Sequence, residues 1–279
     1  MVRRIRLLCA VLCACALLAC APPAEPLPAA LSGFTDADTG ADALLNYQSD
    51  TLRVAIRRCA DADARQVYYV ADIRIRDLRS FRAGFANGAF DSGTENAEAF
   101  AAREGAVLAI NGSFNTGLVV HDGTVYQYPD DQHDGVLALY ADGSMEALPL
   151  DAFDLDAALE AGLVHAWQFG PVLVHEGKPV TPPDADAFGI RHARIMLGYV
   201  EPGHYIAAAV DGRRADAIGM DVSDMVALME SLGCVEAMNL DGGLSAIMVF
   251  QGKTVNDPPR LGADGDRGRN LTDMVLFVP

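Results

Sequence analysis

The sequence predicts an α+β fold, a single domain with a mixed, hairpin-rich β-sheet and a few helices. Three observations carry that prediction. Short β-branched and aromatic runs outnumber amphipathic ones; Asp-Gly and Glu-Gly pairs separate neighbouring runs at hairpin spacing; and strand and helix do not alternate regularly enough for a doubly wound sheet.

Residues 67–76 alternate partially between apolar and charged side chains, which gives a strand with one solvated face. Residues 96–104 are Ala-rich, as suits a short helix. Residues 107–110 form a buried strand that runs into the Asn111-Gly112 turn. Short strands follow at 124–128, 135–140, 164–169 and 171–175, with turns at Asp122-Gly123, Asp142-Gly143 and Glu176-Gly177. Residues 194–200 and 205–210 pair across Pro202-Gly203. Ser223 is placed to cap a helix running to Leu232, in which Val226, Met229 and Leu232 keep helical spacing and which Gly233 stops. Strands at 235–240, 246–250 and 272–278 complete the chain.

Composition narrows the function classes. With 51% hydrophobic and 21% charged residues over 279 positions, the chain buries a core, and disordered, collagenous and disulfide-scaffold classes are excluded. A formal charge of −17 repels phosphate backbones and argues against nucleic acid as a partner. An anionic substrate must therefore be met by local positive charge.

The amino terminus reads as an export signal. Arg3, Arg4 and Arg6 precede an apolar run at 7–19 that is short for a membrane span. Leu17-Leu18-Ala19-Cys20 resembles a bacterial lipobox, so the expectation is a signal peptide at 1–19, a lipidated tether at 20–43 and a domain at 44–279, anchored to a bacterial membrane through Cys20. An ordinary signal cut near Ala21 is the alternative, and both place the body outside the cytoplasm. Removing residues 1–19 takes away three arginines and no acid, which moves the formal charge from −17 to −20. Apart from Cys20, it leaves Cys59 and Cys234, which either pair in one disulfide or stay apart, Cys234 as a small buried thiol.

The densest chemical signal is at 238–245. Asn239 and Asp241 alternate onto one face of a strand end, and Gly242 and Gly243 then let the backbone approach a ligand or offer amides to an anion. A tight Asp-Gly turn without chemistry is the competing explanation, since Asp-Gly also occurs at 122, 134, 142, 211 and 264. Histidines show no zinc-ligand spacing. No cofactor is expected, although Asp130, Asp131 and Asp134 lie close enough in sequence to leave calcium open. Neither a Gly-x-Ser-x-Gly elbow nor a phosphate-binding Gly-x-x-x-x-Gly-Lys is present.

Asn239-Leu240-Asp241-Gly242-Gly243 with Ser245, preceded by residues 193–198 and by Val210-Asp211-Gly212-Arg213, resembles the phosphodiester glycosidase family. Matching stretches at 109–112, 169–174 and 252–256 keep the family's order over about residues 66–278. The resemblance implies hydrolysis of the glycosyl bond in a sugar-1-phosphodiester or phosphoglycan, with release of free sugar and a phosphomonoester. It assigns Asp241 and Asp211 as the carboxylates and Arg194 as a two-point phosphate grip, with Arg213, Asn111, Asn239, Gly242, Gly243 and Ser245 in substrate binding. Two departures stand out: Leu244 occupies a position where the family often has Gly, and Asn111-Gly112 is followed by Ser113-Phe114-Asn115. A glycan-binding surface lipoprotein without catalysis is the alternative function.

Overall fold

The computed structural model describes residues 29–35, 43–180, 190–260 and 265–279, and arranges them as three sheets with helices on their outer faces. The largest has eight strands in the spatial order Leu45–Gln48, Leu52–Asp61, Gln66–Ile75, His204–Val210, Arg194–Glu201, Glu236–Leu240, Val172–His175 and Lys178–Pro179. One five-stranded sheet is ordered Thr124–Gln127, Val119–His121, Leu163–Phe169, Gly135–Tyr140 and Met145–Pro149. The other is ordered Lys253–Thr254, Met248–Phe250, Leu108–Asn111, Asp273–Phe277 and Phe81–Phe85. Among the described residues all strand pairings are antiparallel, so the α+β, hairpin-rich class is as expected, with the strands shared among three sheets.

The main core lies where the inner face of the large sheet (Val54, Ile73, Ile195, Leu240) meets both smaller sheets (Ile110, Phe277, Leu137, Trp167). These positions alternate along each strand with residues of the outer face, which is the period-two pattern of a sheet covered by different layers on its two sides. On the large sheet's outer face, Met196, Ile206 and Val210 pack against Met225 and Met229 of the helix Val222–Ser231. Helix Ala97–Arg103 covers one small sheet and helix Leu155–Glu160 the other.

Three expectations change at this level. The helix at 222–231 is capped by Asp221, not Ser223: the Asp221 carboxylate accepts from the Asp224 amide at 3.0 Å while the Asp224 carboxylate accepts from the Asp221 amide at 3.2 Å. The strand expected at 246–250 begins only at Met248, because Gly243–Ser245 form a 3-10 turn. Residues 29–35, expected within the tether, dock on the domain. The Leu31 amide donates to the Arg76 carbonyl and the Gly33 amide to that of Pro202, both at 2.8 Å, and Phe34 lies under the Arg53 guanidinium. Cys59 and Cys234 are free thiols, and register explains why: Cys59 pairs with Tyr68 at one end of the large sheet, whereas Cys234 packs near Gly198 toward the other. The export signal and Cys20 lie outside the described residues.

Candidate active site

The strand Glu236–Leu240 delivers Asp241 to a junction between the large sheet and the sheet that holds residues 108–111. There the Asp241 amide donates to the Gly112 carbonyl at 3.3 Å, and its own carbonyl accepts from Asn111 Nδ2 at 2.7 Å. Asn111 is fully engaged: Nδ2 also reaches the Gly112 carbonyl, and Oδ1 accepts from the Ile247 amide at 3.2 Å. Expected to bind substrate, Asn111 instead fixes the backbone from which Asp241 projects. Asn239 is likewise sealed in, with Nδ2 on the Gly170 carbonyl at 2.7 Å and Oδ1 buried without a hydrogen-bond partner.

The Asp241 side chain is half-buried, and Oδ2 accepts from Arg269 Nη2 at 2.8 Å. Arg269 also donates Nε to Ser245 Oγ at 2.6 Å and lies 3.8 Å over the ring of Phe114. One planar cation thus locks a carboxylate, a hydroxyl and an aromatic face in fixed relation. Phe114 is positioned in turn by Asp273, whose buried carboxylate accepts from the Ser113 amide at 2.9 Å. Burial pushes the Asp273 carboxyl up to about 6, with hydrogen bonds from Ser113, Thr272 and Phe114 opposing and the nearby Asp241 charge adding to the rise. A Cβ on Gly112 would fall 1.9 Å from Asp273 Oδ2, so only glycine fits there.

The two glycines after Asp241 serve close approach more than anion binding. A Cβ on Gly242 would stand 2.8 Å from the Ala193 carbonyl oxygen, and the Gly243 amide is spent on that same oxygen at 2.8 Å. Gly243 is left-handed at φ 62°, and its missing Cβ makes room for Arg213, whose Nη2 would otherwise be 2.7 Å away. Arg213 is exposed, donates Nε to His192 Nδ1 at 3.0 Å, and has no carboxylate partner among the described residues. Arg194, by contrast, is buried and points its guanidinium at the carbonyls of Met220 (3.3 Å) and Ile190 (3.0 Å). Burial first, with Arg213 and Arg194 nearby, holds His192 below the usual imidazole range, so it meets Arg213 as a neutral acceptor near neutrality.

Asp211 is placed differently from Asp241. Its carboxyl is 1% exposed, accepts from the Asp257 amide at 2.7 Å and stands 3.6 Å from Arg214. Burial pushes it up to about 6 in spite of that guanidinium. Strand register sets the backbones of Asp211 and Asp241 two strands apart, about 10 Å. Arg267 pairs with Asp257 and Arg269 with Asp241, so one loop ties both regions together.

A cleft of about 860 Å³ opens beside this assembly, with Phe114, Arg269, Arg267, Ile247 and Asn256 in its wall. Asp241 reaches it through Arg269 and does not itself line it. Sequence reasoning missed Arg269, Phe114 and Asp273; only Asp273, an acid within an otherwise apolar terminal strand, left a local signal. Among the described residues no cluster of three or more His, Cys, Asp or Glu is arranged to hold a metal ion, and Asp130 spends its carboxylate on Gln132.

Comparison with known proteins gives one family. A family model described as phosphodiester glycosidase matches residues 96–278. The SPbeta prophage-derived uncharacterized protein YomE of Bacillus subtilis is 32% identical over 180 residues, which is 59% of this chain but 28% of that protein's length. The catalytic domain of zebrafish N-acetylglucosamine-1-phosphodiester alpha-N-acetylglucosaminidase, auto-inhibited by its pro-peptide, shares the fold with a TM-score of 0.69 at 20% identity, covering 83% of this chain and 85% of that one. A protein of Burkholderia pseudomallei described as a putative exported protein aligns with a TM-score of 0.57 at 17% identity, over 77% of this chain and 74% of its own.

Proposed function

Because the chain belongs to the phosphodiester glycosidase family, we propose that it is an exported, lipid-anchored hydrolase. It cleaves the glycosyl bond of sugar-1-phosphodiesters of the N-acetylglucosamine-1-phosphodiester type, releasing free sugar and a phosphomonoester. Anchoring through Cys20 and a place outside the cytoplasm belong to the same proposal and rest on the basic and apolar runs of residues 3–20. The observation that carries the catalytic reading is Asp241, locked by Arg269 next to a cleft, with Arg213, which has no carboxylate partner among the described residues, beside Gly243.

The chemistry suits that arrangement. A phosphomonoester has a second pKa near 6, so it departs from the anomeric carbon without first taking a proton from an acid. What the leaving group needs is a cation, and Arg213 supplies an exposed one. The remaining demand is negative charge at the anomeric carbon, where positive charge develops as the bond breaks, and Asp241 meets it. A second working carboxylate becomes dispensable. Asp211, expected as that partner, is assigned instead to holding the loop at 256–257, and Arg194 to holding the 190 and 220 backbones against the strand that carries Arg213's neighbours.

Two observations favour the non-catalytic, glycan-binding alternative: Asp241 Oδ2 is already occupied by Arg269, and Leu244 adds bulk to the Gly243–Ser245 turn. Incubating the purified protein with a panel of sugar-1-phosphodiesters, and detecting free sugar and phosphomonoester separately, decides between the two. The hydrolase reading expects both products in equal amounts, and both lowered about 10²- to 10⁴-fold in the Asp241→Asn protein. Substrate binding with no cleavage on any member supports the alternative.

A further inference from the structure

A second cleft, of about 350 Å³, opens on the far side of Phe114, and Phe114 and Thr94 line both. We propose that it binds one further neutral sugar ring of a larger phosphoglycan, so that substrate crosses Phe114 from one cleft to the other. The proposal rests on the hydrolase reading of the first cleft.

Five features support a sugar as occupant. The size is at the lower end for ligand pockets, which span about 300–1,000 Å³, and suits one ring. The wall is aromatic on one side: Phe90 lines the cleft and is backed by Phe85 and Tyr126 at ring-centre distances of 5.3 and 5.5 Å, with Tyr126 44% exposed. Apolar ring faces of this kind pack against the flat face of a sugar. The rest of the wall is hydroxyl and amide (Thr94, Asn115, Gln127) with Asp91 and no Lys or Arg, which favours a neutral, hydroxyl-rich ligand over an anion.

Polar capacity is also left unused there. Asn115, which lines the cleft, has Oδ1 buried and without a hydrogen bond, although buried polar atoms are nearly always paired. Strain collects at the same place. Asp91, Phe114 and Asn115 are non-glycine residues held left-handed at φ 56°, 62° and 53°. Gln127 Nε2 keeps the 114–117 turn in that shape by donating to the carbonyls of Asn115 (3.2 Å) and Gly117 (2.7 Å). Turning the Asn115 amide toward the cleft would offer a ligand hydroxyl the oxygen that the free protein leaves unpaired.

The test compares two phosphodiesters that differ only by one added neutral sugar, using the full mature chain. Phe90→Ala is expected to raise KM for the longer substrate about three- to tenfold, the range of a lost aromatic contact, while leaving the shorter one within twofold. Asn115→Gly, which relieves the strain and removes the orphan oxygen, provides a second variant should Phe90→Ala unfold. Equal effects on both substrates, or equal KM values for both in the unaltered protein, would overturn the proposal. If neither phosphodiester is cleaved, calorimetric titration with an N-acetylglucosamine trimer separates the two readings. Binding that weakens in Phe90→Ala keeps the second cleft, while the absence of cleavage discards the hydrolase; binding unchanged in Phe90→Ala, or none at millimolar trimer, discards the second cleft.

Discussion

Arg269 is the side chain on which the candidate site turns, because it bonds to both Asp241 and Ser245 and lies over Phe114. Lysine keeps its charge but not the planar fork, so Arg269→Lys is expected to lower kcat more than it raises KM, with Asp241 present but unaligned. Replacing Asp241 itself with Asn removes the charge while preserving size; turnover should fall about 10²- to 10⁴-fold at an almost unchanged melting temperature. Arg213→Ala should lower kcat/KM about ten- to a hundredfold, the worth of a charge-assisted hydrogen bond to phosphate, with a fall in kcat because the leaving group gains charge as the bond breaks. Asp273 has a pH signature. Its folded carboxyl, pushed up to about 6 from 3.8, holds its proton more tightly than the unfolded chain does, so its contribution is full below about pH 4 and is lost as pH rises through about 6. Thermal melts between pH 4 and 7 should show Asp273→Asn flattening that decline by on the order of 2–3 kcal/mol, and an unchanged slope would assign it elsewhere. Asp241 was legible in the sequence from the polar residues and glycines around it. Arg269 was not, because its partnership with Asp241 spans 28 residues and exists only after three segments converge.

Among the elements, the segment 29–35 departs furthest from expectation. Its Pro- and Ala-rich surroundings carry no period, yet Leu31 packs on the main core and Gly33 fits where a Cβ would be 2.6 Å from His204 Cβ. Periodicity detects elements that repeat a pattern; a docked extended segment satisfies its amides on neighbours and needs none. The contacts lie by Arg76 and Pro202, a ten-residue strand length, about 30 Å, from the end that carries Asp211. Removal of residues before 36, or Leu31→Ala, should therefore lower stability by about 1–2 kcal/mol without changing kcat, as a denaturant melt beside a turnover assay would show. A loss of turnover in the still-folded truncation would mean that the segment reaches the site. Strands with clear turn signals, such as 135–140 and 205–210, were legible, whereas Leu52–Asp61 was passed over: Leu52, Val54 and Ile56 alternate with Arg53 and Arg57, but Arg58 breaks the phase halfway along the strand.

For the whole molecule, the large sheet brings residues 193–194, 211–213 and 241–245 to one end, and the smaller sheet adds 111–114 and the 269–273 segment across from them. An acidic protein thereby presents an exposed arginine beside a fixed carboxylate, which is what a glycosyl bond to an anionic leaving group calls for. The fold class could be read from turns and short strands, but the division into three sheets could not, since antiparallel pairing between distant strands has no local signature. The central claim is that the bond broken lies between the anomeric carbon and oxygen, not between oxygen and phosphorus. Hydrolysis of a sugar-1-phosphodiester in water enriched in oxygen-18, with mass analysis of both products at short times, tests it most directly. The account predicts the label in the sugar's anomeric hydroxyl and none in the phosphomonoester; label in the phosphomonoester would contradict it.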